Sequence, residues 1–226
     1  MSTTASQTLS RGLTALEVLA DAEGTLTIAE LSNRLGLHRS ITYRIVRTLE
    51  DHGLVVRNAS GELELGARLA ALARGVARDL QAAALPELTL VANELGMTAF
   101  IVILDSDETD AVTLASVEPR HAAAAVAQRP GSRHAISRGA PGRAIESQLV
   151  RERPAGHAET GTFETSKFET STDEVITGLS SIAVPLAVPG YRAASVAVVY
   201  LTQPVDARAI ADRLERAATA IRDELR

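Results

Sequence analysis

The 226-residue sequence contains no cysteine, which excludes a disulfide framework, a thiolate zinc site and a cysteine nucleophile. Its five histidines show no metal-ligand spacing, and the GxSxG, HExxH and Walker motifs are missing. No apolar run approaches the roughly 20 residues that a membrane helix needs, and the polar residues 1–8 do not resemble a signal peptide. We therefore expect a cytoplasmic protein that is not an enzyme and that binds no metal, cofactor or membrane.

The net charge of −5 is unevenly distributed along the chain. Residues 1–80 carry 9 Arg and 9 Asp/Glu, whereas residues 81–226 carry 14 Lys/Arg and 19 Asp/Glu. Within 34–57, five arginines stand against two acidic residues, a local net charge of +3. A neutral head with a local positive patch suits a sequence-specific DNA-binding protein, because a nonspecific coating protein is usually basic over its whole surface.

The stretch 25–66 has the pattern of a winged helix-turn-helix. Thr27 followed by Glu30 is a capping box and predicts a helix start, and Gly36 can end that helix in a left-handed conformation. A second helix is predicted over 38–52.

A hairpin is predicted directly after this second helix. Two arms of alternating residues, 54–57 and 62–65, flank the turn-forming residues 58–61. A hairpin in this place is the wing of a winged helix, with Arg57 near its tip, where it can reach the minor groove or a phosphate.

The second helix has one apolar stripe, formed by Ile41, Ile45 and Leu49, and one polar stripe rich in arginine. Arginine can fork onto guanine edges or clamp phosphates, and Ser and Tyr hydroxyls can reach phosphate oxygens. The predicted DNA-binding residues are Arg34, His38, Arg39, Ser40, Thr42, Tyr43, Arg44, Arg47 and Arg57. The alternative is an inert structural subdomain or a protein-docking module, since helix-turn-helix patterns alone have many false positives.

Four regions are predicted along the chain: a disordered tail (1–8), the DNA-binding domain (9–66), a linker helix (67–84) and an effector-binding and oligomerisation domain (85–226). Pro86 is expected to interrupt the helical pattern after the linker, and a domain-core helix is the alternative interpretation of 67–84. Strands are predicted at 98–105, 111–117, 182–188 and 193–201, and a terminal helix at 205–226. Strands framed by helices predict an α/β or α+β fold.

The second domain offers little that indicates catalysis. The Gly-rich segments 130–134 and 138–145 would place backbone N–H groups near a helix start, an arrangement that favours a carboxylate, although an ordinary turn and helix cap explain them equally well. Ser132, His134 and Ser137 are close in sequence, which leaves a hydrolase-like domain as a minor alternative.

The chain resembles the IclR family of bacterial transcriptional regulators. The resemblance is strongest in the stretch 26–66, through Tyr43-Arg44, Thr48-Leu-Glu50 and Leu65-Gly-Ala-Arg-Leu69. In the second domain it lies in the segments 130–133, 142–144 and 178–185. Ser181 stands where the family often has cysteine, and the segment between Arg143 and Gly178 is shorter than usual.

The resemblance implies a GAF-like effector domain with a mixed sheet, which binds a small molecule such as an organic or aromatic acid. It also implies a dimer formed through the DNA-binding domains, often assembled into a tetramer. By motif position, the effector-binding residues would be Ser137, Gly139, Ala140, Pro141, Ser181, Tyr200 and Thr202.

The sequence thus predicts a homodimeric or tetrameric transcription factor that binds a palindromic operator in double-stranded DNA. Its affinity for DNA would respond to a small-molecule effector, and repression is favoured over activation. Three alternatives remain: a DNA-binding head joined to a hydrolase-like domain, a sequence-tolerant structural DNA protein, and a regulator with a vestigial, ligand-free effector domain.

Overall fold

The computed structural model describes residues 6–122, 125–152 and 168–226. The chain divides into two units, residues 1–76 and residues 77–226, and each has a hydrophobic core of its own. Among the described residues, none of the helices has the length and apolar character that a bilayer crossing requires.

The first unit begins with three α-helices, α1 (Gln7–Ala20), α2 (Ile28–Leu35) and α3 (Arg39–Asp51). The predicted capping box forms at the start of α2, where the N–H of Glu30 donates to the Thr27 hydroxyl and the Glu30 carboxylate accepts from the Thr27 N–H at 2.8 Å. Gly36 ends α2 with φ 62°, a conformation that glycine adopts without steric cost.

A two-stranded antiparallel hairpin follows, β1 (Val55–Arg57) and β2 (Leu63–Leu65). Its turn is closed by Asn58, whose side-chain oxygen accepts the N–H groups of Ser60 and Glu62. The predicted wing is therefore present. The core beneath it joins all three helices to the hairpin through Ala15, Leu19, Leu31, Val46 and Leu63, among other residues.

Two details of the first unit and of the segment that follows it differ from the sequence prediction. Helix α1 begins at Gln7, so the end of the predicted tail is helical, and residues 1–5 of that tail lie outside the described residues. The predicted linker helix is two helices, α4 (Arg68–Ala73) and α5 (Arg78–Leu95). The break contains Gly75, a poor helix former, and Ala77 has a left-handed φ of 47°.

In its described residues, the second unit forms a six-stranded sheet with helices on both faces. Its strands are β3 (Thr98–Leu104), β4 (Asp110–Val117), β5 (Arg133–Ala135), β6 (Glu169–Thr172), β7 (Leu179–Leu186) and β8 (Ala194–Leu201), in the order β5-β4-β3-β8-β7-β6. Helices α5 and α7 (Ala207–Glu224) pack on one face, and α6 (Gly139–Glu152) packs on the other. The predicted combination of helices and sheet is confirmed.

The expected mixed sheet is a correction, because every strand pair in the described residues is antiparallel. Short connections join β3 to β4 and β7 to β8, which favours antiparallel pairing, whereas parallel neighbours need a long crossover. The short strands β5 and β6 at the two edges were not predicted.

Pro86 does not interrupt the helix as expected, since it lies inside α5. Pro86 and Ala82, the residue four positions earlier, are both exposed, while Ala83, Ala84 and Leu88 face the core. The carbonyl that loses its helical partner at proline therefore lies on the solvent side, where water can hydrate it.

Candidate DNA-binding surface and effector pocket

Helix α3 presents a polar face on the first unit. Its buried side contains Ile45, Val46 and Leu49. The side chains of Arg39, Ser40, Tyr43, Arg44 and Arg47 are all exposed, and the carboxylates of α3 come only in its last two residues, Glu50 and Asp51. This face gives the unit a positively charged surface of the length of one helix, which is the shape and charge that a DNA major groove accepts.

The start of α3 is built by His38, whose ring nitrogen Nδ1 lies 3.3 Å from the backbone N–H of Ser40 and 3.0 Å from its hydroxyl. An imidazole that accepts the Ser40 N–H serves as the helix cap. His38 thus orients the first turn of α3, where Arg39 and Ser40 project. Arg34 is exposed in the last turn of α2, just before the turn between the two helices.

Thr42 is a correction to the predicted DNA-binding set. Its side chain is fully buried, and its hydroxyl lies 3.3 Å from the hydroxyl of Ser32 on α2. Thr42 occupies the inner side of α3, one position away from the polar stripe. It therefore fixes α3 against α2 and has no surface with which to contact DNA.

Arg57 lies on the wing as predicted, but its guanidinium is already engaged. It donates to the Glu50 carboxylate of α3 at 2.7 Å and to the carbonyl of Gly61 at 3.3 Å. This arginine therefore links α3 to the hairpin turn. Arg47 is less restrained: its guanidinium lies 3.5 Å from the Asp51 carboxylate, and both side chains are largely exposed.

An apolar groove of about 740 Å³ runs between α1 and α3. Leu9 and Leu13 of α1 line it with 63% and 52% of their surfaces exposed, which is unusual for two leucines one turn apart. Arg44 also lines this groove, so its side chain borders α1, whereas Tyr43 is not among the groove residues.

The second unit contains a cavity of about 70 Å³ beside the start of α6. Its lining residues are Phe100, Gln128, His134, Gly139, Pro141, Ser171, Glu174, Val175, Ile176, Leu179, Ser180 and Ser181. Since about 10–15 Å³ holds one water molecule, the cavity has room for roughly five waters or a compact ligand. An apolar wall with a few polar groups is the usual composition of a small-molecule site.

Three of the seven predicted effector-binding residues, Gly139, Pro141 and Ser181, line this cavity. The other four do not, and each is a correction. Ser137 is exposed outside the cavity, and Ala140 is buried in the core between α6 and the sheet.

The sequence prediction placed Tyr200 and Thr202 in the pocket. Side chains alternate between the two faces of β8 and the residues after it, and neither of these two lines the cavity. Tyr200 packs in the core on the α5 and α7 side, whereas its neighbour Val199 packs on the α6 side, where the cavity lies. Burial raises the pKa of the Tyr200 phenol. The Thr202 hydroxyl is hydrogen-bonded to that of Ser180 at 2.9 Å and does not line the cavity.

A charged cluster lies at the first turn of α6, where Gly139 and Glu174 border the cavity. The N–H of Gly139 donates to the Glu174 carboxylate at 3.0 Å, and Arg143 pairs with the same carboxylate oxygen. The hydrogen bond from Arg143 is the largest influence lowering the pKa of Glu174, and the pair in turn raises the pKa of Arg143. Arg143 also reaches Glu169 at 3.4 Å and the carbonyl of Thr170.

His134 lies on β5 and lines the same cavity. Its Nε2 atom is buried without a hydrogen-bond partner in the described residues, and burial lowers its pKa, so the ring is held neutral. Neither Ser132 nor Ser137 is hydrogen-bonded to this nitrogen, so the Ser/His combination that remained as an alternative is not assembled there.

Sequence reasoning missed most of the cavity wall. Phe100 could have been predicted from the sequence, because residues 100 and 102 alternate with their neighbours along β3 and so share the face of the sheet that packs against α6. Gln128 and the segment 174–176 could not have been predicted in this way. They lie in irregular chain, whose position is set by contacts with residues far away in sequence.

Taken together, the two units define a winged helix-turn-helix protein with an attached sheet domain that contains a small, partly polar cavity. Residues 8–59 match the IclR helix-turn-helix domain. The HTH-type transcriptional regulator Rv1719 of Mycobacterium tuberculosis is 37% identical over 107 residues, which cover 47% of this chain and 41% of that protein. The transcriptional repressor IclR of Escherichia coli is 30% identical over 118 residues, which cover 51% of this chain and 43% of that protein.

These matches cover less than half the length of either relative, whereas the likeness in fold extends over the whole chain. A solved structure of an IclR homolog from Microbacterium hydrocarbonoxydans, complexed with 4-hydroxybenzoate, has a TM-score of 0.77 at 21% identity. The match covers 97% of this chain and 99% of that one. The DNA-binding unit is thus similar in sequence to IclR regulators, and the whole chain is similar to them in fold.

Proposed function

We propose that this protein is a transcriptional regulator that binds operator DNA through α3 and the wing. The observation that supports this proposal is the exposed face of α3, where arginine, serine and tyrosine side chains lie opposite a mostly apolar buried side. Such a regulator would act in the cytoplasm, where a bacterial chromosome lies. Arg39, Ser40, Tyr43, Arg44 and Arg47 would contact bases or phosphates in the major groove.

The protein acts as a homodimer in this proposal, and a tetramer is a further possible assembly of such dimers. The apolar groove between α1 and α3, with its exposed Leu9 and Leu13, suits a second copy of the same surface. Two heads related by a two-fold axis require an operator with two inverted half-sites.

The dimer surface is tested by Leu13→Asp, which places a charge in the apolar groove. We expect the variant to sediment as a monomer at concentrations where the unaltered protein is a dimer, and to lose affinity for a two-half-site operator. Leu201→Asp is the matched control, because Leu201 is 54% exposed in the second unit and does not line the groove. A dimer that survives Leu13→Asp would refute this interface.

The cavity beside α6 is the proposed effector site. A family member of the same fold binds 4-hydroxybenzoate, which supports an organic acid as the class of ligand. Effector binding would change operator affinity, and tenfold regulation requires a coupling free energy of only about 1.4 kcal/mol. Repression is the favoured outcome, since the Escherichia coli relative is named a repressor.

The proposal is tested by selecting bound sequences from a random duplex pool with the purified protein at near-physiological salt. We expect enrichment of an inverted repeat, whose affinity then changes when organic acids are added. A structural DNA protein would instead enrich no motif and respond to no acid. The hydrolase alternative predicts steady turnover of simple esters, and the unpartnered Nε2 of His134 gives no support to that chemistry.

A further inference from the structure

The donors at the start of α6 are already occupied by a carboxylate from the same chain. Gly139 N–H and the Arg143 guanidinium both bind Glu174, and these are the groups that an acidic ligand in the cavity would need. We propose that Glu174 is an internal ligand of the effector pocket, so that a carboxylate effector binds only by displacing it. This inference rests on the proposed function in taking the cavity as the effector site.

Glu174 is carried by a short turn, residues 173–178, which we name the plug turn. Asp173 has a left-handed φ of 58°, and its carboxylate accepts the N–H of Gly178 at 2.6 Å. The N–H of Asp173 in turn donates to the carbonyl of Leu179 at 2.9 Å. These bonds close the turn on itself, and Arg138 additionally donates to the backbone carbonyl of Glu174.

The plug turn also forms the outer wall of the cavity. Val175 and Ile176 line it while 48% and 58% of their surfaces stay exposed. Val175 lies so close to α6 that a Cβ built on Gly139 would be 3.0 Å from its methyl group Cγ2. Moving the turn outward would therefore free the Gly139 N–H and the Arg143 guanidinium from Glu174. The same movement would enlarge the cavity.

The charges in the closed arrangement disfavour an additional anion. The lowered pKa of Glu174 keeps this carboxylate ionised at neutral pH, and Arg143 is shared between Glu174 and Glu169. A second carboxylate beside them would meet a like charge without an unoccupied donor at Gly139. The closed pocket is thus selective for uncharged groups, whereas the open pocket accepts an acid.

Acetate tests this arrangement directly, because it is the carboxylate that Glu174→Ala removes. The thermal unfolding midpoint of the full chain is measured against acetate and against uncharged acetamide at constant ionic strength. We expect acetate to raise the midpoint of Glu174→Ala, with an affinity on the order of tenfold higher than for the unaltered protein, because a charge-assisted hydrogen-bond pair becomes available. Acetamide should have no such effect.

The matched control is Glu169→Ala, which removes the other carboxylate on Arg143 but leaves Gly139 bound to Glu174. Its response to acetate should equal that of the unaltered protein. If Glu174→Ala does not fold, Glu174→Gln replaces it. A neutral amide binds Gly139 and Arg143 less strongly than a carboxylate does, so acetate should displace it more easily and again bind more tightly. Equal acetate responses in all variants would overturn the proposal.

This experiment contains no DNA, so its result and that of the operator selection are separate. If acetate had no effect on Glu174→Ala, the proposal that Glu174 is an internal ligand would be wrong. The DNA-binding proposal would be unaffected. Failure to enrich an operator, together with acetate rescue of Glu174→Ala, would instead leave a carboxylate-binding unit without a regulatory role.

Discussion

Arg47 is the residue whose position most favours reading of DNA bases. It lies in the middle of the exposed face of α3, and its weak exposed pair with Asp51 leaves the guanidinium free to exchange partners. An arginine that forks onto a guanine edge contributes to sequence discrimination, whereas one that binds a phosphate contributes affinity alone.

We expect Arg47→Ala to weaken binding to the selected operator by about 1–3 kcal/mol and to relax the preference at one base position. The measurement is a competition titration against operators that carry single-base changes. Arg208→Ala is the matched control, because Arg208 forms the equivalent exposed pair with Asp212 in the second unit. A uniform loss across all operators would make Arg47 a phosphate contact.

His134 gives the second unit a dependence on pH. Burial lowers its pKa below the ordinary value of 6.5, so the unfolded chain takes up a proton at this residue more readily than the folded chain does. Stability therefore falls as the pH drops below about 6.5, and this loss ends once the folded form is also protonated. His134→Gln should lose this part of the pH dependence.

The check on His134 is a comparison of thermal unfolding at pH 7.5 and at pH 5.5. His121→Gln serves as control because His121 is exposed. If both variants keep the same difference between the two pH values, the buried His134 is not its source.

At the scale of secondary-structure elements, one side chain of the wing connects two neighbouring elements. Arg57 joins α3 to the hairpin turn through the Glu50 carboxylate and the Gly61 carbonyl. Lysine retains the charge but lacks the planar fork that satisfies two acceptors at once.

We expect Arg57→Lys to lower the unfolding temperature of the first unit while the salt dependence of DNA binding stays unchanged. Arg57→Ala should in addition reduce the salt slope by about one if this charge also contacts a phosphate. Calorimetry and salt titrations measure the two effects separately. Equal stability of Arg57→Lys and the unaltered protein would show that the fork carries no structural role.

The helices and strands of the first unit can be predicted from local sequence patterns, whereas those of the second unit are predicted less completely. The capping box at Thr27, the left-handed Gly36 and the Asn58 turn each act within four residues, so sequence reasoning finds them. The break near Ala77, the helix that continues through Pro86 and the edge strands depend on which faces become buried. That information is not contained in any short window of sequence.

The candidate sites follow the same division. The exposed side of α3 could be derived from helical periodicity, with Thr42 misassigned by a single position. In the pocket, Tyr200 was misplaced because one residue along a strand changes the face of the sheet. Glu174 reaches Gly139 from 35 residues away, a contact that only the folded sheet creates.

For the whole molecule, the separate cores of the two units predict two unfolding transitions. A ligand that binds one unit raises the transition of that unit by an amount set by its concentration relative to its dissociation constant. We expect acetate, added to Glu174→Ala, to shift one transition in differential scanning calorimetry, and operator DNA to shift the other. A single transition that both ligands raise equally would contradict independent cores.

The pairing of β3 with β8 has a consequence for the order in which the chain acquires structure during translation. Thr98 is the partner of Val199, so the centre of the sheet cannot close until roughly a hundred further residues have been made. At about 5–20 residues per second, that interval lasts on the order of 5–20 s. The residues of α1 to β2 emerge well before it ends, so each new molecule passes through a period in which its first unit can be folded while the other unit is still an open sheet exposed to chaperones and proteases.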